Sequence, residues 1–528
     1  MADDKNMNPV FSIKNFRSFG EEGADFELAP ITVLTGCNSA GKSSLVKALL
    51  LLSRYMTMVF PEKELNIESD YNCSDGGGRF PLQLSFKDLA LGRYDKLVHE
   101  GSDGKIEMSY TMFSQYLQDY VRVKRIFSKR NKDFLNSGEC VSYCVEKLDG
   151  TLVFGVGPHL FDHDEYASFG NLGAIEENYI RFENTCKTKS DDFKYQKAAK
   201  DGATQEELKA LVEKYREFVR NNPTIGNLSV ELMEMIDDWN DLWSNKDRYD
   251  KVKKNVCINQ SDECGMDFIK RDTFANLVNN EVVSPVCFRN VNYIDSSSAT
   301  IKRVYTTEDV DKMCLALRNL YDRVEKTRLE TGLNMPYYFI NRWIKRFGIG
   351  DKISIEGSEE GVGIMLYLIK DEKKRLLADE GYGVTQLVSL LLNIENQIPD
   401  DPSYLNAGFP PSYICVEEPE NHLHPKYQSL LADMFVEAYR EYNIHFIIET
   451  HSEYLIRKLQ VMVADKENKL TSNEVSINYV DKDEDGISHN RQIKIQEDGF
   501  LSDSFGEGFF DEATERSLDL LRIQMDGK

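Results

Sequence analysis

A glycine-rich segment near the N-terminus has the residue types that bind a chain of phosphates. Residues 36–43 read Gly-Cys-Asn-Ser-Ala-Gly-Lys-Ser, which matches the Walker A pattern G-x-x-x-x-G-K-[ST]. Its glycines let the backbone wrap around phosphates, and free amide groups at a helix start supply positive potential. Lys42 is predicted to reach the β- and γ-phosphates, and the Ser43 hydroxyl to bind Mg²⁺. The residues expected to bind ATP are Gly36, Asn38, Ser39, Ala40, Gly41, Lys42, Ser43 and Ser44.

Two carboxylates follow an apolar run much later in the chain. Residues 414–416 are Ile-Cys-Val and lead directly into Glu417 and Glu418. This is the form of a Walker B element, in which the first acid orients Mg²⁺ through water and the second polarises the attacking water. We therefore predict Glu417 as a metal residue, although aspartate is commoner there, and Glu418 as the general base. A solvated glutamate pair is the alternative, which the upstream Walker A loop disfavours.

A glycine turn precedes the predicted Walker B element. Residues 378–386 read Ala-Asp-Glu-Gly-Tyr-Gly-Val-Thr-Gln and lead into a helix predicted over 387–392. A glycine turn that Thr385 caps at a helix start is a second phosphate-binding device. Many helices begin with such a turn. The assignment of this segment to the nucleotide site therefore depends mainly on its position before the Walker B element. The residues of this turn expected at the nucleotide are Gly381, Gly383, Thr385 and Gln386.

Three histidines lie close to these carboxylates. His422 and His424 are two residues apart, but no third ligand for a zinc site is evident. His451 follows a further apolar run, residues 445–448. A lone histidine is more often structural than catalytic, yet the position of His451 after a predicted strand favours a functional interpretation.

Short buried strands are predicted to position these residues. Residues 413–416 and 445–448 are apolar on both faces, as in a parallel sheet. The other expected elements are strands over 26–28 and 31–35, helices over 43–58 and 336–347, and a hairpin formed by 353–355 and 364–369.

The middle of the chain differs in character, because from about residue 106 to 285 it is charged and is predicted to be helical and irregular. A capping box at residues 204–207 opens one helix there, but heptads do not persist, which excludes a long coiled coil.

We therefore predict four parts: 1–105, the first half of an ATPase head with Walker A; 106–285, a helical insertion; 286–470, the second half with the glycine turn, Walker B and His451; and 471–528, a small β/α segment.

Composition restricts the class of protein. The chain has 528 residues, is 41% hydrophobic and carries a net charge of −24, which disfavours nonspecific coating of DNA. No apolar run is long enough to span a bilayer. The ten cysteines are far apart, so free thiols and a cytoplasmic location are expected.

The order of these motifs resembles one branch of the ABC ATPases, the OLD-type, AAA-annotated branch of bacterial anti-phage and mobile-element operons. Septu-type and retron-associated ATPases are similar. The resemblance rests on the Walker A loop, Gly-Tyr-Gly-Val-Thr-Gln, Glu-Glu-Pro-Glu-Asn-His-Leu-His-Pro and Glu-Thr-His-Ser, and covers roughly residues 10–100 and 290–528. Residues 13–19 also resemble that branch, and residues 508–512 resemble a small C-terminal domain of uncharacterised function.

The resemblance implies an α/β fold: an ABC-type, P-loop ATPase head with an antiparallel β lobe and an inserted, mainly helical region. It implies a head-to-tail homodimer, or a higher homo-oligomer, in which Lys42 of one chain and Gly383 of the other share an ATP. His451 would be the switch histidine that contacts the γ-phosphate and the catalytic water. Two departures stand out, because the glycine turn lacks the usual Ser-Gly-Gly run and Gln83 is only a candidate for the Q-loop glutamine.

The leading hypothesis is a regulatory ATPase of an anti-phage defence system that controls an effector, expected to be a nuclease encoded nearby. Too few residues follow His451 for a Toprim nuclease, and Asp481, Asp483 and Asp485 are interpreted as a hairpin turn. Nothing in the sequence supports a function as a membrane transporter.

Two alternatives stay open. One is a DNA-repair ATPase of the RecF or SMC kind, and the other is an autonomous nuclease with its site in the insertion. The first would use the basic run Arg122, Lys124, Arg125, Lys129, Arg130 and Lys132, although such runs are usually solvated faces. The second would use His159, Asp162, His163 and Asp164, which more often form a polar loop.

Overall fold

The computed structural model describes residues 7–59, 82–156, 291–331, 337–357, 363–399 and 411–506, with short gaps inside these ranges, and a few residues at 167–168 and 516–523. The strands are β1 (Val10–Lys14), β2 (Ala24–Glu27), β3 (Ile31–Gly36), β4 (Ser85–Phe86), β5 (Leu89–Ala90), β6 (Ile106–Ser114), β7 (Asp119–Lys129), β8 (Gly138–Lys147), β9 (Leu152–Val156), β10 (Ala167–Ser168), β11 (Val291–Ile294), β12 (Tyr305–Thr306), β13 (Lys352–Gly357), β14 (Gly363–Lys370), β15 (Lys373–Leu376), β16 (Ser412–Glu417), β17 (Ile444–Glu449), β18 (Val475–Lys482) and β19 (Ser488–Ile493). The helices are α1 (Lys42–Val59), α2 (Lys312–Thr331), α3 (Tyr338–Phe347), α4 (Tyr382–Gln397), α5 (Pro425–Tyr442) and α6 (Glu453–Ala464).

One compact unit, which comprises Met1–Asn8, Phe26–Val46 and Asn290–Lys528, is built around a six-stranded sheet. Its strand order is β11-β16-β17-β3-β18-β19, and every pair is parallel except β18 with β19. The strands β3, β16 and β17 are buried along nearly their whole length. The prediction of buried parallel strands is confirmed. Because parallel strands end at the same edge of a sheet, the loops that follow these three strands start close together.

Helix α3 shows how the apolar pattern fixes a helix in this unit. Its buried side chains recur at helical spacing and face the core; they are Phe339, Ile340, Trp343, Ile344 and Phe347. Burying each one contributes about 1.5–3 kcal/mol. Trp343 Nε1 also donates to Glu437 Oε1 of α5 at 3.0 Å. The helix ends at Gly348, whose φ of 69° glycine adopts without a Cβ penalty.

Two hairpins complete the first unit. Strands β13 and β14 pair antiparallel as predicted, and β12 and β15 also pair with β14. Strands β18 and β19 form a hairpin whose turn is closed by Asp483 Oδ1, which accepts from the backbone nitrogens of Asp485 at 3.0 Å and Ile487 at 2.9 Å. The interpretation of this aspartate-rich segment as a turn is confirmed.

The second unit comprises Pro9–Asp25 and Lys47–Arg289 and contains an antiparallel sheet. Its strands run in the order β10-β9-β8-β7-β6-β1. The prediction of a helical insertion that starts at residue 106 is therefore wrong at its start, because residues 106–156 contain the strands β6 to β9. Strand β7 alternates buried and more exposed positions, which is the period of two of a half-buried strand rather than of a helix.

The predicted basic run lies largely on β7, where its charges have partners. Arg122 and Lys124 pair with Glu146 of β8, with nitrogen–oxygen distances of 3.8 and 3.2 Å. Arg125 is only 2% exposed and its guanidinium lies 5.8 Å from the ring centre of Tyr110. Lys129 pairs with Asp95 at 3.0 Å. These four side chains therefore do not form a free basic face.

Several predictions fall outside the described residues and stay predictions. They concern Gln83, the cluster His159, Asp162, His163 and Asp164, the capping box at 204–207, the basic residues Arg130 and Lys132, and the segment 508–512. Among the described helices, none is long and apolar enough to cross a membrane. The described cysteines are free thiols, namely Cys37, Cys140, Cys144, Cys314 and Cys415.

Candidate nucleotide site

The loop between β3 and α1 has a backbone that needs glycine. Gly36 has a φ of 130°, and a Cβ on it would lie 2.0 Å from the carbonyl oxygen of Val480 on β18. Gly41 has a φ of 112° and Ser39 a φ of 61°, all in the left-handed region that favours glycine. The strand, loop and helix predicted for a Walker A element are therefore in place.

The side chains of this loop divide into exposed and buried groups. Cys37, Asn38 and Ser39 are exposed, whereas Ala40 and Ser44 are buried. The carbonyl oxygen of Ala40 accepts a 2.5 Å hydrogen bond from the Ser488 hydroxyl of β19. The exposed residues can meet a ligand with their backbone amides, while the buried ones anchor the loop.

Lys42 points back onto its own loop. Its Nζ donates to the carbonyl oxygens of Gly36 at 3.1 Å and Cys37 at 2.9 Å. Burial lowers the pKa of Lys42, an effect that the charges of Glu449, Cys37 and Glu418 oppose. The ammonium group is thus held at the phosphate-binding loop and close to carboxylates from two other strands.

Glu449, the last residue of β17, is a site residue that the sequence analysis missed. Its Oε1 accepts a 3.0 Å hydrogen bond from the Ser43 hydroxyl. Burial and the neighbouring Glu417 raise the pKa of Glu449 to about 7, while the Ser43 bond and Lys42 oppose this rise. A signal was present in the sequence, since a carboxylate directly ends a strand predicted to be buried.

The predicted Walker B carboxylates lie at the end of β16, next to Glu449. Glu417 is the direct register partner of Glu449 on the adjacent parallel strand. Its carboxylate also bonds the Tyr293 hydroxyl of β11, and burial followed by Glu417 raises the pKa of Tyr293. Sequence reasoning did not identify Tyr293.

Glu418 is held in an unusual backbone conformation. Its φ is 44°, which is uncommon for a residue with a Cβ and marks a strained position. Its backbone nitrogen donates to the Glu449 carbonyl at 2.7 Å, and Asn421 Nδ2 donates to Glu418 Oε2 at 2.5 Å. These bonds fix both the backbone and the carboxylate of the predicted general base.

His451 lies on the loop after β17, within the electrostatic reach of the same groups. Burial and then Lys42 lower its pKa, while Glu418 opposes this shift. Its backbone nitrogen donates to Glu420 Oε1 at 2.7 Å, and burial raises the pKa of Glu420. The structure thus places His451, Lys42 and Glu418 around one region of the sheet edge.

The glycine turn at the start of α4 differs from the prediction in one respect. The helix begins at Tyr382 with Gly381 as its N-cap, and no side chain caps it. Thr385 is not a cap, because it lies one turn inside the helix and its hydroxyl donates to the Tyr382 carbonyl at 2.7 Å. Because the helix begins before Thr385, this residue lies inside the helix and is only 4% exposed. This burial argues against a direct contact of Thr385 with a ligand.

The same turn packs on the loop after β16 within one chain. A Cβ on Gly383 would lie 2.7 Å from the His422 carbonyl oxygen. Gln386 Nε2 donates to the Glu418 carbonyl at 3.4 Å, and the rings of Tyr382 and His422 meet edge to face at 4.7 Å. Gly381 and Tyr382 are exposed, so they are the part of the turn that a second molecule can reach.

The two histidines after the Walker B segment contact neighbouring residues. His424 is the N-cap of α5 and its Nδ1 accepts from the Lys426 backbone nitrogen at 3.3 Å. No group of three or more His, Cys, Asp or Glu side chains that could hold a metal occurs in the part of the chain that the structure describes.

The site residues nevertheless fit a magnesium ion that arrives with a nucleotide. Mg²⁺ keeps several waters and is usually held by one or two carboxylates and by substrate phosphates. Ser43 and Glu417 would supply oxygen ligands at one sheet edge, and the Oε2 atom of the adjacent Glu449 is buried with no hydrogen-bond partner in the described part of the chain. Such an unpaired buried oxygen fits a site that a cation completes.

Two family models match the chain. Residues 10–456 match the family model described as AAA ATPase domain, and residues 470–520 match one described as a protein of unknown function, DUF3696. No curated protein sequence matches the chain.

Similar solved structures include heads of Smc proteins. One is the Smc head bound to the C-winged helix domain of ScpA, with TM-score 0.44, 12% identity, and coverage of 92% of this chain and 98% of that chain. Another is the Smc head with an extended coiled coil, bound to the C-terminal domain of ScpA, from Pyrococcus furiosus, with TM-score 0.36, 14% identity, and coverage of 97% and 100%. The SMC head from Thermotoga maritima has TM-score 0.34, 11% identity, and coverage of 92% and 98%. At this level of similarity nothing about partners or substrates follows.

Proposed function

Since the chain belongs to the AAA ATPase domain family, we propose that it binds ATP with Mg²⁺ at the edge formed by β3, β16 and β17 and hydrolyses it there. The observation that carries this proposal is the 3.0 Å hydrogen bond between Ser43 Oγ and Glu449 Oε1. This bond joins the phosphate-binding loop to the end of β17, which lies beside the end of β16 and its Glu417 and Glu418. The residues proposed to bind the metal, the phosphates and the attacking water therefore lie at one sheet edge.

The residues of the loop would bind the phosphates. Lys42 Nζ, now bonded to the carbonyls of Gly36 and Cys37, would turn to the β- and γ-phosphates, and the amides after Gly36 would donate to them. Ser43 and Glu417 would hold magnesium, which supplies neutralisation of the phosphate charge. The positive-φ backbone of the loop supports this role, because it leaves room for phosphate oxygens near the amides.

Glu418 is proposed as the general base for the attacking water. Its carboxylate is held by Asn421 through Oε2, which leaves Oε1 to accept a proton from water as the water attacks the γ-phosphorus. His451 is proposed to contact the γ-phosphate and orient the same water, supported by its electrostatic coupling to both Lys42 and Glu418. The reaction yields ADP and phosphate.

We propose that the working unit is a head-to-tail homodimer, in which the exposed Gly381 and Tyr382 of one chain approach the ATP held by the other. Exposure of Asn38 and Ser39 on the phosphate loop agrees with this arrangement. Sedimentation of Glu418→Gln with Mg-ATP tests the proposal. The 60.7 kDa chain should double in mass with ATP and not with ADP, and Lys42→Ala should fail to double. An unchanged mass of Glu418→Gln with ATP bound would refute the dimer.

We further propose that the chain is the regulatory subunit of an anti-phage defence system, acts in the cytoplasm, and controls an effector, expected to be a nuclease encoded nearby. The support is the resemblance of the motif order to the OLD-type branch. Co-expression with the products of neighbouring genes tests it: a stable complex whose nuclease activity changes with ATP is expected. If cells are equally protected from phage with and without the two proteins, the proposal is wrong.

DNA repair by a RecF-like or SMC-like chain remains the alternative of a different class. The described part of the basic run gives it no support, since Arg122 and Lys124 are paired with Glu146. An affinity for DNA that falls steeply with salt would favour it.

A further inference from the structure

A buried carboxylate at the sheet edge has no role in the proposal above beyond its bond to Ser43. Glu449 is 7% exposed and lies at the end of β17, between β16 and β3 in the sheet. Its Oε1 accepts from the Ser43 hydroxyl at 3.0 Å. Serine at this loop position is the residue expected to bind magnesium, so the Glu449 carboxylate lies next to a predicted metal residue.

The second oxygen of Glu449 lacks a partner. Glu449 Oε2 is buried and has no hydrogen bond within the described residues. Lys42, the lysine that acts electrostatically on Glu449, donates through Nζ to the carbonyls of Gly36 and Cys37 instead. A buried carboxylate oxygen left in this way costs free energy, unless a cation or its water completes the site.

The charges around Glu449 increase this cost. Glu417 is its register partner on the adjacent strand, and both Glu417 and Glu418 act on it electrostatically. Carboxylates that lie close together at this edge repel one another. A divalent cation with oxygen preference is the chemistry that relieves this repulsion.

A purely structural role for Glu449 would be to hold Ser43 in place. That role requires only Oε1, and a glutamine would fulfil it with its amide oxygen. It leaves the buried, unpaired Oε2 and the adjacent Glu417 without explanation.

From this geometry we propose that Glu449 is a ligand of the magnesium that accompanies ATP, directly or through a bound water, and shares it with Ser43 and Glu417. The proposal rests on the proposed ATP site and deepens it, because it assigns to β17 a metal carboxylate that stands beside the Walker B pair of β16.

The test compares nucleotide affinity with and without metal in the full chain. Calorimetric titration with the non-hydrolysable analogue AMP-PNP gives one Kd in magnesium and one in EDTA, and their ratio measures the metal contribution. Wild type should bind more tightly with magnesium. Glu449→Gln should reduce that ratio about tenfold while leaving the EDTA affinity unchanged or higher. Glu453→Gln, an exposed carboxylate change at the start of α6, should keep the wild-type ratio.

Each other outcome is decisive. An unchanged ratio in folded Glu449→Gln would overturn the assignment of Glu449 alone, whereas absence of AMP-PNP binding by wild type would overturn the proposed function together with it. If Glu449→Gln does not fold, as judged by its thermal transition, Glu449→Asp carries the test, because it keeps the charge and shortens the side chain by one methylene. An intermediate ratio in Glu449→Asp is expected, and a wild-type ratio would contradict the assignment.

Discussion

The side-chain amide of Asn421 holds the carboxylate of Glu418 through a 2.5 Å hydrogen bond to Oε2. Both residues belong to the tight loop after β16, in which the Asn421 backbone nitrogen also donates to the Glu418 carbonyl at 3.1 Å. Among the described residues Asn421 has no hydrogen bond to the phosphate loop or to Lys42, so we expect it to act by positioning Glu418. This relationship separates positioning of the base from binding of the nucleotide.

Replacing Asn421 with alanine is predicted to slow hydrolysis without weakening binding. A carboxylate released from its partner spends less time aligned with water, and a misplacement of about 1 Å costs on the order of 100-fold in rate. We expect kcat of Asn421→Ala to fall about 10- to 100-fold with AMP-PNP affinity unchanged. Steady-state kinetics and calorimetry measure the two quantities. Asn473→Ala, an exposed position, is the control, and an equal loss of kcat in both variants would contradict the positioning role.

The two glycines of the turn before α4 are predicted to respond differently to alanine. At Gly383 a Cβ would meet the His422 carbonyl at 2.7 Å, whereas at Gly381 nothing lies within 4 Å. Gly383→Ala should therefore push the loop that carries Glu418 and lose about 1–3 kcal/mol of stability, together with most of the ATPase activity. Gly381→Ala should keep wild-type stability. Urea unfolding measures the stability of both variants and an ATPase assay measures the activity of Gly383→Ala. Equal losses of stability in the two variants would contradict the packing.

A half-buried histidine away from the site is predicted to set part of the acid sensitivity. The His445 ring lies between Tyr413 and Tyr439, at 5.3 and 5.6 Å, and its Nδ1 has no partner in the described residues. Burial lowers the pKa of His445 to about 4. As the pH falls, His445 of the unfolded chain therefore binds a proton near pH 6.5, whereas His445 of the folded chain binds one only near pH 4. The free energy of unfolding consequently decreases as the pH falls from about 6.5 to about 4.

His445→Phe keeps the ring packing and removes this proton. From pH 7 to pH 5 the free energy of unfolding of wild type should fall by about 2 kcal/mol more than that of the variant. Denaturant titrations at the two pH values measure the difference. Parallel losses in both proteins would show that folding does not lower the pKa of His445.

Local patterns predicted the phosphate loop and the strands that surround it, because these depend on neighbouring residues. The glycines and Lys42 follow one strand, and the apolar runs of β16 and β17 are continuous. Glu449 could not be assigned in this way, since its bond to Ser43 spans 406 residues and depends on β17 lying between β16 and β3. The order of the strands along the chain does not determine their order in the sheet.

The wrong expectation for residues 106–156 has a different cause. In β7 the charged side chains of Arg122, Lys124 and Arg125 suggested a solvated helix, although Val121 and Val123 are buried at a period of two. The charges of Arg122 and Lys124 are satisfied by Glu146 on the neighbouring strand β8, and the sequence does not reveal that cross-strand partner. The start of α4 was misplaced for a similar reason, because Gly381 rather than Thr385 caps the helix.

Steady-state ATP hydrolysis by the purified chain tests the central claim most directly. Wild type, Lys42→Ala and Glu418→Gln are compared with the controls Lys47→Ala, on the same helix as Lys42, and Glu497→Gln, an exposed carboxylate. Magnesium-dependent release of phosphate by wild type and both controls, with a loss of at least about 100-fold in Lys42→Ala and Glu418→Gln, is the predicted result. Hydrolysis that persists in Lys42→Ala or Glu418→Gln, or its absence in wild type, would contradict the assignment of this sheet edge as an ATPase site.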